Sequence, residues 1–525
     1  MSDLTSALSA VRTIPQLAHF AAERFGTRRA IVDEDGATLS YLELQAQARD
    51  TARALLAAGV ERGDRVAIWA PNCARWVVAA LGLQMAGASL VPLNTRLKGK
   101  EAAYILRRSR AKLLFTVDEF LGIRYRDLLI EQDLPELQRI VLIDPAASGP
   151  SWDDFLASGR TVSERVLADR EAAVAPDDIS DILFTSGTTG VPKGAMTAHA
   201  QNLRLYREWG KHVELTEADR YLIANPFFHS FGYKAGWLAA LMRGATIFPH
   251  AVFDSGKILR CIERERISVL PGPPTLYVSL LNAPNLSSID KSSLRVAITG
   301  AAVVPAQLVR QMRSELGFKM VLTAYGLTET CGTVTMCSPD DQPETVAETC
   351  GRALDGIEIR IQDDDGAALP PGAPGEVAVR GYNVMKGYFE DAEETAKALD
   401  AQGWFRTGDI GTLNERGYLR ITDRSKDVFI VGGFNCYPTE IENLLLDHPA
   451  IRQAAVIGVP DERLGEVGKA FVILKAGMSE TPASLLCWSR EHMANYKVPR
   501  SIEICDQLPM TASGKVQKFL LRARA

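Results

Sequence analysis

Short apolar segments alternate with helix-like segments through most of the first 320 residues, and this alternation limits the fold more than any other feature of the 525-residue chain. Residues 65–69 and 89–92 resemble strands, and apolar residues at helical spacing lie between them. Further strand-like runs occur at 113–116, 139–143, 221–224, 245–248, 267–270 and 294–298. Strands separated by helices form βαβ units with buried parallel sheets, so we predict a large α/β amino-terminal domain.

The pattern changes from about residue 345. Residues 356–361 and 375–380 alternate with period two around a Pro/Gly-rich turn, which predicts antiparallel hairpins and a small β-barrel-like part. Earlier in the chain, residues 145–178 are acidic and lack periodicity, so we predict a loop-rich connector there.

The last hundred residues predict a small α+β unit. It has helices at 438–446 and 481–494, strands at 454–459, 470–474 and 501–505, and a mobile tail beyond. Six polar residues at 422–427 precede an apolar run at 428–431 and are typical of a hinge. We therefore divide the chain into a large amino-terminal domain, 1–425, and a small mobile domain, 426–525.

Composition excludes several classes of protein. A chain of this length needs at least two domains, and its net charge of −5 argues against a nucleic-acid partner. The eight cysteines are dispersed without a C-x-x-C pair, and the chain starts without a signal-peptide pattern, so we expect a cytoplasmic location. No apolar run is long enough for a membrane span. The oligomeric state stays open, with a homodimer as one outcome.

The sequence F-T-S-G-T-T-G-V-P-K-G at 184–194 follows a strand-like run. Glycines allow a close backbone approach, hydroxyls and N–H groups bind anions, and a lysine adds a positive charge, so the loop suits a polyphosphate. It lacks the Walker A spacing, and the alternative is a flexible surface turn. The candidate residues are Thr185, Ser186, Gly187, Thr188, Thr189, Gly190 and Lys193.

Two later motifs suit a nucleoside. In T-A-Y-G-L-T-E-T at 323–330, Tyr325 can stack on adenine, Thr328 can bond a phosphate oxygen and Glu329 can bind Mg²⁺. In W-F-R-T-G-D at 404–409, Asp409 can accept the ribose hydroxyls with help from Arg424. The alternatives are a solvated carboxylate at a helix start and a plain turn.

These motifs, in this order over about residues 15 to 520, resemble the adenylate-forming superfamily: acyl-CoA synthetases, aryl-CoA ligases, firefly-type luciferases and peptide-synthetase adenylation domains. The resemblance implies an AMP-forming acid–thiol ligase that uses ATP, Mg²⁺ and coenzyme A. Its small-molecule carboxylic acid would first become an acyl-adenylate and then a thioester. Residues 1–425 would form the adenylating domain, which binds ATP and the acid.

The resemblance also assigns roles in the mobile domain. The string P-M-T-A-S-G-K-V-Q-K at 509–518 makes Lys515 the adenylation lysine, whose cation would neutralise charge as the carboxylate attacks phosphorus. The alternative is a solvated tail lysine. Lys426 matches the hinge residue, and Gly433 matches the glycine that lets pantetheine pass.

The acyl pocket follows from the same resemblance. P-F-F-H-S-F-G at 226–232 places Phe228 and His229 in the pocket, against the alternative of a core turn with a hydrogen-bonded histidine. I-T-G-A-A at 298–302 would border adenine and the acyl tunnel. The resemblance makes Lys515, Glu329 and His229 the catalytic residues. The remaining residues that it predicts to contact the nucleotide or the acid are Gly300, Ala301, Ala302, Thr323, Ala324, Gly326 and Gly332.

The acid is expected to be uncharged beyond its carboxylate and bulky or long. Strings at 228–236, 270–274, 322–329 and 431–435 are similar to bacterial steroid-catabolism ligases for the methyl-dioxo-octahydroindene propanoate left from the C and D rings. A medium- or long-chain fatty acid is the competing substrate.

Three competing functions stay open: a standalone adenylation enzyme that loads a carrier protein, a luciferase-like oxygenase and a non-catalytic nucleotide sensor. An aspartate for an amino group is missing at 228–231, which argues against an adenylation enzyme specific for amino acids. The tail lacks a peroxisomal signal, which argues against a luciferase-like oxygenase.

Overall fold

A computed structural model describes residues 2–144, 151–186, 191–300, 304–424, 428–475, 477–509 and 516–524. The fold is mixed α/β, with a large amino-terminal part and a small carboxy-terminal part, which confirms the predicted class. We call residues 2–424 the large lobe and residues 428–524 the small lobe. In the described ranges, no helix combines the length and the apolar character needed to cross a bilayer.

Two mainly parallel sheets form most of the large lobe. In the first sheet, the central strands are parallel and the outer strands are antiparallel. In spatial order its nine strands are Arg352–Ala353, Thr335–Met336, Met320–Tyr325, Val296–Gly300, Val269–Pro271, Arg220–Ile223, Thr246–Pro249, Arg29–Val32 and Thr38–Ser40. The buried strands are apolar because both faces of a parallel sheet are covered.

The second sheet contains the hairpin that leads into and out of the glycine-rich sequence. In spatial order its seven strands are Gly387–Tyr388, Pro192–Ala198, Ile179–Ser186, Ser89–Pro92, Arg65–Trp69, Ala111–Thr116 and Arg139–Leu142. Gly194 pairs with Phe184 across the antiparallel hairpin. A Cβ at Gly194 would lie 2.7 Å from Ile182 Cγ2, so glycine is what allows this close packing. A separate two-stranded ribbon joins Glu119–Phe120 to Ile123–Arg124.

Helices cover the two sheets of the large lobe. Those of seven or more residues are Ser2–Ser9, Ile14–Phe25, Tyr41–Ala57, Ala74–Met85, Gly99–Arg108, Trp152–Ser158, Glu164–Ala173, His199–His212, Ser255–Glu265, Pro274–Leu281, Ala306–Ser314 and Ala392–Ala398. The shorter ones are Asp127–Leu129, Gly159–Thr161, Ser230–Gly232, a π-helical turn at Tyr233–Leu238, Ala239–Arg243, Leu286–Ser288, Thr328–Thr330 and Pro343–Glu348.

The prediction of a loop-rich connector at 145–178 was wrong. Trp152–Ser158 and Glu164–Ala173 are helices, and the strand Ile179–Ser186 begins directly after the segment. Trp152 and Phe155 pack against Phe115 of the second sheet. Helices of two or three turns contain too few apolar residues to show a periodic pattern, which is why the sequence concealed them.

An antiparallel sheet follows the second parallel sheet in the chain. Its strands Ile357–Gln362, Gly375–Gly381, Phe405–Leu413 and Leu419–Arg424 pair in chain order, in agreement with the predicted hairpins. The last strand continues through Arg424, so the first three polar residues of the predicted hinge belong to a strand. Lys426 lies outside the described residues.

The small lobe matches its predicted elements. Strands Phe429–Val431, Phe434–Cys436, Ile451–Asp461, Gly465–Leu474 and Ser501–Ile504 form one sheet, with helices Pro438–Leu446 and Pro482–His492. The prediction of a mobile tail was wrong for residues 516–524. There, the helix Lys518–Arg522 packs Leu521, 1% exposed, into an apolar cluster with Leu508.

A buried ion pair joins the hairpin of the second sheet to the π-helical turn. Lys234 Nζ lies 2.8 Å from Asp181 Oδ1, and both side chains are 0% exposed. Asp181 also accepts hydrogen bonds from Thr197, Asn202 and Ser180 at 2.7, 2.7 and 2.8 Å. The ammonium donates to Thr197 as well, so both charges are satisfied by several polar groups.

We predict that Lys234→Met destabilises the large lobe by about 3–5 kcal/mol, because it leaves the Asp181 charge buried without its partner. Chemical unfolding followed by fluorescence of the buried tryptophans would measure the loss. The control is Lys211→Met, since Lys211 is 64% exposed and its contact with Glu208 spans 3.8 Å. The control should change stability by less than about 0.5 kcal/mol, and equal effects of the two variants would contradict the prediction.

Candidate active site

A large cavity of about 1660 Å³ lies between the two lobes and is lined by residues from both. The large lobe contributes the ends of strands from both parallel sheets and the antiparallel sheet. The small lobe contributes its first hairpin and the loops near Leu464 and Tyr496. Most of the described residues in the predicted site therefore meet in one space.

The hairpin of the second sheet brings Thr185 and Lys193 to this cavity. Lys193 forms an ion pair with Glu394, and its ammonium lies 5.4 Å from the centre of the Tyr388 ring. Hydrogen bonds from Lys193 and Lys397 lower the pKa of Glu394 to about 2, so this carboxyl group is ionised at neutral pH. The Ser186 side chain and Gly187, Thr188, Thr189 and Gly190 lie outside the described residues.

Glu329 is a buried carboxylate held by two hydroxyl groups. Thr185 Oγ1 and Tyr388 OH donate to Glu329 Oε1 at 3.1 and 3.0 Å. Burial, followed by the charge of Glu329, raises the pKa of Tyr388 well above its ordinary range, so the phenol stays a donor. No described residue donates to Oε2 of Glu329. One carboxylate with a free oxygen fits the way proteins bind Mg²⁺, which takes few protein ligands beside phosphates and water.

Tyr325 and Asp409 form a second polar pair in the cavity wall. Tyr325 OH donates to Asp409 Oδ2 at 2.7 Å, and Asp409 is 8% exposed. Burial and then the charge of Asp409 raise the pKa of Tyr325 well above its ordinary value. Asp409 faces Arg424 in the strand register, but the Arg424 side chain lies outside the described residues. The predicted adenine and ribose contacts are thus neighbours.

His229 and Phe228 also line the cavity. The backbone N–H of Phe231 donates to His229 Nδ1 at 3.2 Å, so a neutral ring carries its proton on Nε2. The residue is exposed and lines the cavity, and desolvation by the surrounding protein lowers the pKa of its ring to about 4. The imidazole is therefore neutral at physiological pH.

The predicted site includes several small residues. Gly300, Ala324, Gly326, Thr328 and Gly332 line the cavity. Thr323 does so too, but its hydroxyl donates to the carbonyls of Val346 and Thr349 inside the wall, so it contributes through its backbone. Ala301 and Ala302 lie outside the described residues.

The small lobe places Gly433 at the cavity. Its φ is +90°, and a Cβ added there would lie 3.2 Å from Pro273 Cβ of the large lobe. A side chain at this position would therefore be strained and would narrow the gap between the lobes. Lys515 lies outside the described residues, and its described neighbours at 505–509 and 516–524 do not line the cavity.

Sequence reasoning missed Tyr388, Glu394, Asn225 and Thr299. Tyr388 bonds a residue 59 positions away, and Glu394 pairs with one 201 positions away, so no local pattern marked them. Asn225 Oδ1 and Thr299 Oγ1 are buried at the cavity without a hydrogen-bond partner among the described residues. Asn225 directly precedes the aromatic motif at 226–232, which was the available signal.

Comparison with known families gives two matches. The sequence profile of AMP-binding enzymes matches residues 18–389, and that of the AMP-binding enzyme C-terminal domain matches residues 440–515. The first match covers Thr185, Lys193, His229 and Glu329, and the second ends at Lys515.

Individual relatives are similar over nearly the whole chain. Two are 3-[(3aS,4S,7aS)-7a-methyl-1,5-dioxo-octahydro-1H-inden-4-yl]propanoyl:CoA ligases. The one from Mycobacterium tuberculosis is 51% identical and covers 98% of this chain and 99% of the relative, and the one from Rhodococcus jostii is 49% identical, covering 97% and 98%. One solved structure is a double mutant of o-succinylbenzoate CoA synthetase from Bacillus subtilis bound with a product analogue. It is 30% identical to this chain with a TM-score of 0.82, and the match covers 97% of this chain and 98% of that one.

We predict that the His229 ring stays neutral down to about pH 5, because its pKa is lowered to about 4. In histidine-labelled protein, the ring resonance that disappears in His229→Gln should not move between about pH 7.5 and 5.5. It should shift only near pH 4. A midpoint close to the ordinary histidine value of about 6.5 would contradict the prediction.

Proposed function

The chain belongs to the AMP-binding enzyme family, and from this membership we propose that it is an ATP-dependent ligase that joins a hydrophobic carboxylic acid to coenzyme A. One observation carries the proposal. A single cavity is lined by the Lys193 hairpin, by Glu329, by the Tyr325–Asp409 pair and by Gly433 of the other lobe. These groups suit, in turn, phosphates, a metal ion, a nucleoside and a narrow thiol arm.

The proposed substrate is the bicyclic dioxo-indene propanoate that the two ligase relatives are named for. The described cavity supports an acid with a large apolar body, since Phe228, Phe231, Phe253 and Leu276 line it. It also has polar groups suited to ring ketones. The hydroxyl of Thr299 is buried at the cavity and has no described partner, and a hydroxyl can donate a hydrogen bond to a ketone oxygen.

Unpaired buried polar groups discriminate between the candidate acids. A straight alkyl chain would leave the Thr299 hydroxyl unsatisfied, at a cost of about 1–3 kcal/mol. A ring ketone can accept a hydrogen bond from that hydroxyl, and the amide of Asn225 has N–H donors as well. This favours the bicyclic acid over a medium- or long-chain fatty acid.

In the first half-reaction, a carboxylate oxygen of the acid attacks the α-phosphorus of ATP. The new O–P bond forms as the bond to the bridging oxygen of pyrophosphate breaks, which gives acyl-AMP. Lys193 would hold the phosphates, Asp409 the ribose and Tyr325 the adenine. Lys515 would neutralise the charge that builds between the carboxylate and the phosphate. When bound, Mg²⁺ would reduce the phosphate charge, with Glu329 as its protein ligand.

In the second half-reaction, the thiolate of coenzyme A attacks the acyl carbon. The S–C bond forms, the C–O bond to AMP breaks, and the thiol proton is lost to water. Gly433 lies beside Pro273 of the large lobe, and the missing side chain leaves space for the pantetheine arm. The neutral ring of His229 would line the acyl pocket without adding a charge beside the acid.

Two reactions in one cavity require the lobes to change their relative orientation. We propose the boundary between residues 425 and 426 and a rotation about Lys426, which would exchange Lys515 for Gly433 at the cavity. Separate apolar cores support this division, since the large lobe has one cluster and the small lobe has two, one on each face of its sheet. We also propose a cytoplasmic location, which the eight free thiols support.

We predict that Thr299→Val lowers activity with the bicyclic acid relative to octanoate by about 5- to 140-fold, since a hydrogen bond worth about 1–3 kcal/mol is lost. Parallel kcat/KM measurements on both acids give the ratio. The control is Thr116→Val. The Thr116 hydroxyl is buried, donates to the Trp69 carbonyl at 2.8 Å and does not line the cavity. An unchanged ratio in Thr299→Val would contradict the proposed hydrogen bond between the Thr299 hydroxyl and a ring ketone.

The ligase proposal itself is tested by separating the half-reactions. We predict that Lys515→Ala lowers acid-dependent pyrophosphate exchange about 100-fold, because a cation that acts only in the adenylation step is lost. Thioester formation from synthetic acyl-adenylate and coenzyme A should stay within about threefold of wild type. The control is Lys475→Ala, an exposed lysine of the same lobe.

Gly433→Ala should show the opposite pattern, with exchange retained and thioester formation reduced, because the added Cβ narrows the space beside Pro273. Loss of both half-reactions in both variants would contradict the division of roles. A wild-type enzyme that performs neither half-reaction with any carboxylic acid would overturn the proposed function.

A further inference from the structure

A lysine of the small lobe bridges two carboxylates on different lobes. Lys497 Nζ lies 2.6 Å from Glu101 Oε1 of the large lobe and 2.7 Å from Glu440 Oε1 of its own lobe. The three side chains are 4%, 9% and 7% exposed. Lys497 and Glu440 also line the cavity.

The arrangement keeps the lysine charged. Burial lowers the pKa of Lys497, but interactions with Tyr496, Glu440 and Glu101 outweigh it and raise the pKa well above its ordinary value. A buried charge pair that loses one partner is strongly destabilised. Lys497 and Glu440 belong to the same lobe, so their contact does not depend on how the lobes are oriented. The contact between Lys497 and Glu101 joins the two lobes and does depend on it.

Neighbouring contacts fix the same interface. Tyr496 OH accepts a hydrogen bond from Asn94 Nδ2 of the large lobe at 3.3 Å. The Tyr496 ring stacks on Phe434 with centroids 4.7 Å apart, and Phe434 directly follows Gly433. The ion pair of Lys497 with Glu101 and the hairpin that carries Gly433 thus belong to one packed unit.

We propose that Lys497 is a positioning residue for thioester formation: its bond to Glu101 holds the small lobe in the orientation that keeps Gly433 at the cavity. This inference rests on the proposed two-step function. When the small lobe turns for adenylation, Glu440 moves with Lys497 and remains its counterion. The lysine is then never left buried without a partner, so the bond to Glu101 can be made and broken in each cycle.

The structure offers a variant that removes only the link between the lobes. Glu101 Oε2 accepts the backbone N–H of Lys98 at 2.8 Å and caps the helix Gly99–Arg108, while Oε1 takes Lys497. Glu101→Gln keeps one oxygen for the cap and turns an amide N–H₂ toward the ammonium. The cap remains, and the attraction between the lobes is lost.

We expect Glu101→Gln to lower the rate of thioester formation from synthetic acyl-adenylate about tenfold and to leave pyrophosphate exchange at or above the wild-type rate. The matched control is Glu43→Gln. Glu43 Oε2 accepts the N–H of Ser40 at 2.8 Å in the same type of cap, on the helix Tyr41–Ala57, and is exposed. It should leave both half-reactions unchanged.

Two further variants guard against a folding defect. Lys497→Gln should reproduce the selective loss, and Lys497→Arg, which keeps the charge and can reach both carboxylates, should restore thioester formation to within about threefold. Thermal unfolding of each variant identifies any that does not fold.

The outcomes separate the two proposals. If wild type performs both half-reactions and Glu101→Gln slows them equally or slows neither, the positioning role is overturned while the ligase function stands. If Lys497→Arg fails to restore the step in a folded protein, the charge is not what positions the lobe, and the role is again overturned. If wild type performs neither half-reaction, the ligase function fails first, and the inference fails with it.

Discussion

The buried charge of Lys234 is the interaction on which the rest of the large lobe depends. Its partner Asp181 lies in the strand that leads to the glycine-rich loop, and Lys234 itself follows the turn that carries His229. One fully desolvated pair thus joins the wall expected to hold phosphates to the wall expected to hold the acid. Because such a pair tolerates little displacement, it keeps the two walls in a fixed relation.

Polar contacts inside the cavity follow the same principle in a less buried setting. Glu329 is held by Thr185 and by Tyr388, while Tyr325 holds Asp409. Each carboxylate is oriented by a phenol whose pKa is raised, so the donor cannot be lost at physiological pH. The carboxylates are preorganised before any ligand arrives, which lowers the cost of binding one.

Much of the fold was accessible from the sequence because its strands are buried on both faces and appear as apolar runs. The short helix Trp152–Ser158 and the tail helix Lys518–Arg522 were missed, since their stability comes from contacts with distant residues rather than from their own pattern. The site was accessible where chemistry is concentrated in one motif, as at Glu329. The sequence did not reveal site residues whose partners are distant in the chain. Examples are Glu394, which pairs with Lys193, and Lys497, which links the two lobes.

The anchored carboxyl terminus has a mechanical consequence. Gln517 N donates to the Pro509 carbonyl at 2.8 Å, and Leu508 and Leu521 share one apolar cluster. The described residues on either side of this segment, Pro509 and Gln517, are therefore tied to each other on the small lobe. In the proposed rotation these two anchor points move with the small lobe, so the size of the rotation sets how far they travel. Lengthening the connection between the lobes would change that travel more than loosening the last residues of the chain.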